Sequence, residues 1–376
     1  MLEFDKDFLH GVAAIVGTVF GAGILALPYV FAKAGFLIGL INLMIVGTIS
    51  TLILLYMCEV CLRTKETLQI VGLTEKYLGK KAKTIMLFFT VIGMYGALIA
   101  YLIGIGSSAS TLISGQPVLY STIFFIIASP IVYIGLKLVE KVELYLSFIK
   151  IIMVILLCLM LFPGIKFQNL KSFDTSKFFL PYGVAMFACM GYSVVPNLER
   201  IMEKKKELTK KTVIIGMLIC LTIFTSFSFV FVGRFGQDVK EIATESVSDT
   251  HLFIFSNLFA IFTLATPFIM LAWVLKDTFK FDYKLNRPIP WILACIVPYF
   301  LMLIANPTFI QALEISGAYA GSLTYIIFCF LIKKARKFGD EKPCYVVPGG
   351  DLPLIFIALF GIIGMISTTL NLLKIL

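Results

Sequence analysis

The chain carries about eleven apolar runs, most of them of roughly twenty residues and so long enough at about 1.5 Å per residue to cross a hydrocarbon layer about 30 Å thick. They lie near 8–32, 35–62, 84–114, 118–135, 143–162, 179–198, 212–233, 252–275, 291–305, 309–332 and 354–373. Inside a bilayer every backbone N–H and C=O must find a partner within the protein, and a single run achieves this only as a helix. An all-α polytopic membrane protein follows. With 59% hydrophobic and 14% charged residues, the chain has little polar surface left for a soluble domain.

The formal net charge of +10 does not point to nucleic acid, because the basic residues sit in short loops between apolar runs. Arg63, Lys65, Lys76, Lys80, Lys81 and Lys83 follow the second run, and Arg200, Lys204, Lys205, Lys206, Lys210 and Lys211 follow the sixth. This bias predicts a cytoplasmic N-terminus in a multi-pass protein of the cell membrane. The first residues carry Glu3, Asp5 and Asp7 rather than a basic leader, so the first run is expected to stay as a membrane span. The linker from Thr67 to Lys80 alternates apolar and polar residues and reads as a helix on the membrane surface, while 234–250 reads as a polar external loop. The expected partners are the lipid bilayer and a small solute; the sequence names no protein partner.

Enzymatic chemistry finds little footing. His10 and His251 are the two histidines, both near span ends, and no paired acids or metal-ligand spacing occurs at depth. Cys58-x-x-Cys61 has no histidine beside it, so the eight cysteines read as buried thiols rather than a zinc site. No catalytic residue, metal or organic cofactor is expected.

One stretch of the first run is unsuited to unbroken helix: Gly17-Thr18-Val19-Phe20-Gly21-Ala22-Gly23-Ile24-Leu25-Ala26-Leu27-Pro28. Each glycine costs about 1 kcal/mol of helix stability relative to alanine, and Pro28 removes an N–H. Either the small residues serve close helix packing, or the helix breaks and offers free N–H groups near Ala22 and Gly23 to an anion such as a carboxylate. The sixth run has an echo, Phe187-Ala188-Cys189-Met190-Gly191-Tyr192-Ser193-Val194-Val195-Pro196, with the same Gly-x4-Pro spacing. Five runs separate the two, so they cross in opposite directions. An inverted repeat of five spans plus five follows, with repeat one over about 8–162, repeat two over about 179–332, and an extra helix at about 354–373 of a single domain spanning 1–376.

The Gly21 to Pro28 segment resembles the first helix of the amino acid–polyamine–organocation superfamily, and most closely its amino acid/auxin permease branch, which includes the aromatic amino acid permeases. Phe187-Ala188-x-x-Gly191-Tyr192 is similar to the superfamily's sixth helix, Thr266-Pro267-Phe268 with Asp277 to the eighth, and Phe309 to Glu314 with Gly317 to the tenth. The resemblance implies the leucine-transporter fold, with helices 1 and 6 broken, and secondary transport of an amino acid.

On that reading a zwitterion is held at two poles. Amides of Gly21, Ala22 and Gly23 take the carboxylate, and carbonyls near Phe187 and Ala188 take the ammonium, helped by Val19 and Phe20. Thr18 adds a hydroxyl, Gly191 permits the break, and Tyr192 either closes over the side chain or simply packs. Lys150, about two turns into the fifth span, either snorkels to the surface or points inward as a proton carrier. Thr263 and Thr266, with carbonyls of Gly17 and Phe20, form the alternative sodium site unless their hydroxyls bond back to the preceding turn. Coupling to H+ is favoured, with Na+ or exchange as alternatives, and a transporter or channel for another small organic cation is the competing function. Glu59 is expected at the membrane interface and Glu314 in an outer vestibule.

Overall fold

The computed structural model describes residues 6–66, 68–134, 138–248, 250–281, 285, 286 and 288–373; Glu3, Asp5 and Thr67, considered above, lie outside them. Among the described residues every regular element is helical. Helices α1 (Lys6–Val19) and α2 (Gly23–Ala34) share the first run and meet at an angle of 58°. Then come α3 (Phe36–Leu62), the surface helix α4 (Ile70–Leu78), α5 (Lys80–Ile113), α6 (Pro117–Ile134) and α7 (Leu138–Leu161). Between α4 and α5 the chain turns at Gly79, whose φ of +85° suits a residue without Cβ.

The second half opens on α8 (Tyr182–Cys189) and α9 (Val195–Ile201), followed by α10 (Thr209–Phe235) and α11 (Thr250–Phe281). Its ninth run is α12 (Ile289–Trp291), a π-helical turn and α13 (Val297–Ala305). The tenth is α14 (Phe309–Glu314), a π-helical segment Ile315–Gly321 and α15 (Ser322–Phe338), and α16 (Leu352–Leu372) ends the chain. Among the described residues eight helices are long and apolar enough to span, and the bent α1–α2 pair makes a ninth. The other two expected runs are helical but shorter, because one is broken and the other holds only Ile289–Ala305. Large apolar side chains such as Ile126, Leu159, Ile304 and Phe356 are exposed on the outside of the bundle, where lipid tails replace water as the neighbour.

Helix α5 runs through the centre against α6, α11 and the π-helical segment, while α10 packs on α1, α2 and α3. Helix α8 lies on that same π-helical segment. A Cβ on Gly317 would strike the Gly183 carbonyl and come within 2.6 Å of Phe187 N, so only glycine lets the two backbones approach this closely.

The two ends of the bundle are held differently. At the more basic end Glu59, expected near the membrane interface, is fully buried within the protein, because it has strong partners. Arg336 grips it two-pronged, Nε to Oε1 at 3.0 Å and Nη2 to Oε2 at 2.9 Å, and Arg63 and the Val347 amide complete its shell. Removing one partner of such a buried pair typically costs about 3–5 kcal/mol.

At the opposite end, the 236–248 loop is a plug rather than a free polar loop: Val239, Ile242, Ala243 and Val247 are buried. Lys33 Nζ donates to the Gln237 carbonyl at 2.9 Å and Gln237 Nε2 to the Ala32 carbonyl, tying the loop to α2. The Ile310 amide at the start of α14 donates to Glu241 at 3.2 Å, and the Ser108 hydroxyl on α5 reaches Glu245 at 3.4 Å. Burial pushes the Glu245 carboxyl above the ordinary range, with Ser107, Lys240 and Ser108 pulling it partly back.

Candidate functional site: two helix breaks at mid-depth

Helix α1 stops at Val19, as the glycine spacing predicts. Phe20 N still reaches the Val16 carbonyl at 2.9 Å, but among the described residues the amides of Gly21 and Ala22 meet no backbone carbonyl. Gly23 opens α2, so its amide belongs to the first turn, where helix geometry supplies no acceptor. The first bonds of α2 are tight turns, Ile24 N to Gly21 O at 3.4 Å and Leu25 N to Ala22 O at 3.0 Å. Three consecutive donors are thus concentrated at one break, at the N-terminal, positive end of a helix.

In the sixth run α8 stops at Cys189, Met190 and Gly191 leave helical geometry, and a short 3-10 turn Tyr192–Val194 leads into α9. The Phe187 carbonyl accepts from Met190 N at 3.3 Å, whereas among the described residues the carbonyls of Ala188 and Cys189 accept no backbone bond from beyond the break. The free acceptors therefore lie one residue further along than expected.

The two breaks touch. A Cβ on Gly23 would collide with Ala188, and one on Gly191 would come within 2.6 Å of a Val19 methyl. Gly21 is different: its nearest neighbour in that direction is the Tyr101 hydroxyl oxygen at 3.8 Å, which leaves room beside the free amides. Thr18 and Ser193 are exposed, and Gly17, Gly21, Phe187, Met190 and Tyr192 are partly so, although all sit near the middle of their runs. Thr18 bonds back to the Ala14 carbonyl at 2.9 Å. The Tyr192 ring packs edge-on against Phe328 on α15, with centroids 5.2 Å apart, as the packing alternative expects.

Lys150 is fully buried, so it does not snorkel. It projects from α7, which packs on both α1 and α11. One turn earlier on α7, Ser147 lies 3.1 Å from where a Gly17 Cβ would stand. On α11, Thr263 and Thr266 do not bond back to their own helix; their hydroxyl oxygens are buried and, with that of Ser147, meet no hydrogen-bond partner among the described residues. Buried oxygens of this kind suit a cation or a proton-bearing group. Sequence reasoning missed Ser147 and Tyr101. Ser147 was signalled by its place three residues before Lys150 on the same helix face; Tyr101 carries no such mark.

The profile described as the tryptophan/tyrosine permease family matches residues 5–368. Glutamine transporter 2 of Aliivibrio fischeri is 25% identical over 96% of this chain and 98% of its own length. Tyrosine-specific transport system 1 of Haemophilus influenzae is 26% identical over 93% of each chain. Among solved structures, MhsT in complex with L-phenylalanine superposes with a TM-score of 0.67 over 96% of this chain and 98% of that one, at 14% identity, which shows the fold. That fold is the leucine-transporter-like five-plus-five inverted repeat.

Proposed function

The chain belongs to the tryptophan/tyrosine permease family, and on that footing we propose that it is a secondary transporter moving an amino acid across the cell membrane by alternating access. Its basic end and N-terminus lie in the cytoplasm, as the distribution of lysine and arginine favours. Within the superfamily the Gly21 to Pro28 segment supports placing it in the amino acid/auxin permease branch. The observation that carries the reading is the contact between two unwound turns of opposite polarity. Donors at Gly21, Ala22 and Gly23 take the substrate carboxylate, and acceptors at Ala188 and Cys189, with Phe187, take its ammonium. No side chain need form or break a covalent bond.

The substrate class is an α-amino acid, in keeping with relatives named for glutamine and tyrosine. Thermal stabilisation of the purified protein by a panel of amino acids tests this: at 100 times Kd a ligand adds about 2.7 kcal/mol. A panel without effect, alongside stabilisation by an unrelated solute, overturns the reading.

Coupling is to protons, with Lys150 as the carrier between α1 and α11. Lys150→Ala is expected to abolish accumulation driven by a pH gradient while leaving substrate exchange measurable; unchanged pH-driven uptake removes Lys150 from the mechanism. The unpartnered hydroxyls of Thr263 and Thr266 favour a second reading, sodium held by them and by carbonyls of Gly17 and Phe20. Under it, uptake follows the sodium gradient, and Thr263→Ala raises the sodium concentration needed for half-maximal uptake.

A further inference from the structure

A groove of about 400 Å³ lies at the basic end of the bundle, away from the helix breaks. Leu78, Ala82 and Ile85 form one wall, Ile327 and Phe330 the other, and Lys333 and Lys334 stand at its rim. Its volume falls within the roughly 300–1,000 Å³ of small-molecule sites. Ile85 is 50% exposed and Phe330 60%, so the walls are apolar and open on the side of the bundle rather than facing its core.

The charges around its mouth are one-sided. Lys80 and Lys81, both exposed, fall between the lining residues Leu78 and Ala82, and Lys337 follows the rim lysines on α15. Two acids offset part of this charge: Asp351, 2.8 Å from Lys333, and Glu75 on α4, 2.6 Å from Lys83. The ammonium groups of Lys334 and Lys337 converge on one ring, 5.5 Å and 5.3 Å from the centroid of Phe338, and no carboxylate among the described residues pairs with either. Two cations over one ring repel each other, and an anion between them would relieve that repulsion.

We propose that this groove binds an anionic phospholipid of the cytoplasmic leaflet. Its phosphate sits among Lys334, Lys337 and the Lys80–Lys81 pair, and an acyl chain runs between Ile85 and Phe330. Apolar walls beneath a cationic rim match an amphiphile with a negative head, and basic side chains near a membrane surface gain about 1 kcal/mol each from anionic lipid. The bound lipid bridges α15 to the α4–α5 corner. The inference does not depend on which solute is transported.

The test is native mass spectrometry and thermal unfolding of the full chain in detergent with added phosphatidylglycerol, phosphatidylcholine or glycerol 3-phosphate. Phosphatidylglycerol is expected to remain bound and to raise the unfolding temperature, with phosphatidylcholine and glycerol 3-phosphate doing neither. Lys334→Gln with Lys337→Gln should cut phosphatidylglycerol retention at least about tenfold, the factor matching ~1.4 kcal/mol. Ala82→Trp, which fills the groove and keeps every charge, should do the same. Lys204→Gln with Lys210→Gln removes equal charge from the same end and should leave retention unchanged. Equal stabilisation by phosphatidylcholine, an equal effect of glycerol 3-phosphate alone, or equal loss in the Lys204/Lys210 control overturns the proposal.

Discussion

The four half-helices of the broken spans fall into two unlike pairs. Helix α2 is buried from Gly23 to Ala34 except for parts of Tyr29 and Lys33, and α8 is buried throughout except at Phe187. Their counterparts α1 and α9 carry exposed positions: Leu9, His10 and Thr18 on one, Asn197 and Arg200 on the other. Of the buried pair, α2 packs directly against the 236–248 plug, and the exposed pair leads toward the basic end. The difference teaches where burial changes along the broken spans: the plug-side halves are enclosed, and the exposed residues nearest the breaks, Thr18 and Ser193, lie on the half-helix side that continues to the basic surface.

The most severe way to break the contrast is Gly23→Val. The added atoms collide with Ala188, overpacking costs about 1–3 kcal/mol, and uptake into vesicles should fall to background. Gly72→Val on α4, where a Cβ would meet nothing closer than Leu68 at 3.4 Å, should keep uptake. Normal uptake by Gly23→Val would mean that the halves need not touch.

Accessibility sharpens the contrast more directly. With the exposed Cys344 replaced by serine, Thr18→Cys should react with a water-soluble maleimide faster than Ala26→Cys by about tenfold or more, since a buried site must first open. Equal rates would show that the two sides are not distinct.

A smaller effect is expected at the plug. Glu241→Gln replaces a charged acceptor of the Ile310 amide with a neutral one, at a cost of about 1 kcal/mol. Hydrogen exchange across 239–247 should quicken several-fold while α9 is unaffected. Exchange unchanged in both regions would remove Glu241 from the seal.

The smallest effect concerns pH. The folded-state pKa of Glu245 is raised by burial, so its contribution to holding the plug is greatest while the carboxyl is protonated. That contribution falls as pH rises from the ordinary carboxylate range through the raised value. Exchange near Glu245 should therefore be slower at acid pH than at neutral pH, and Glu245→Gln should flatten the difference. A seal that loosens on acidification instead would overturn this sign.

Much of this was legible in the chain because it is local. Apolar length gave the spans, and glycine and proline spacing placed both breaks within a residue or two of their observed positions. What was not legible depends on partners distant in sequence. The burial of Glu59 was not legible because nothing near it announces Arg336, some 277 residues away. The plug looked like an ordinary polar loop because Glu241 and Gln237 gain meaning only against Ile310 and Ala32. The π-helical segment at Ile315–Gly321 carries no sequence mark beyond its small residues, and it exists where Gly317 must fit against α8. Thr18 and Thr263 show the same limit, since two threonines in similarly apolar stretches of sequence, one exposed and one buried in the fold, differ in their hydrogen bonding.

The crosswise contacts of Gly23 with Ala188 and of Val19 with Gly191 constrain the motion itself. Each broken span is keyed into the other on both sides of its own gap, so neither can slide without carrying its mate. These contacts predict a stroke in which the two broken spans move as one paired body against the remaining helices, with the pivot at the helix gaps. Spin labels on the two broken spans should hold a fixed separation through the cycle, while labels between either span and α5 change theirs.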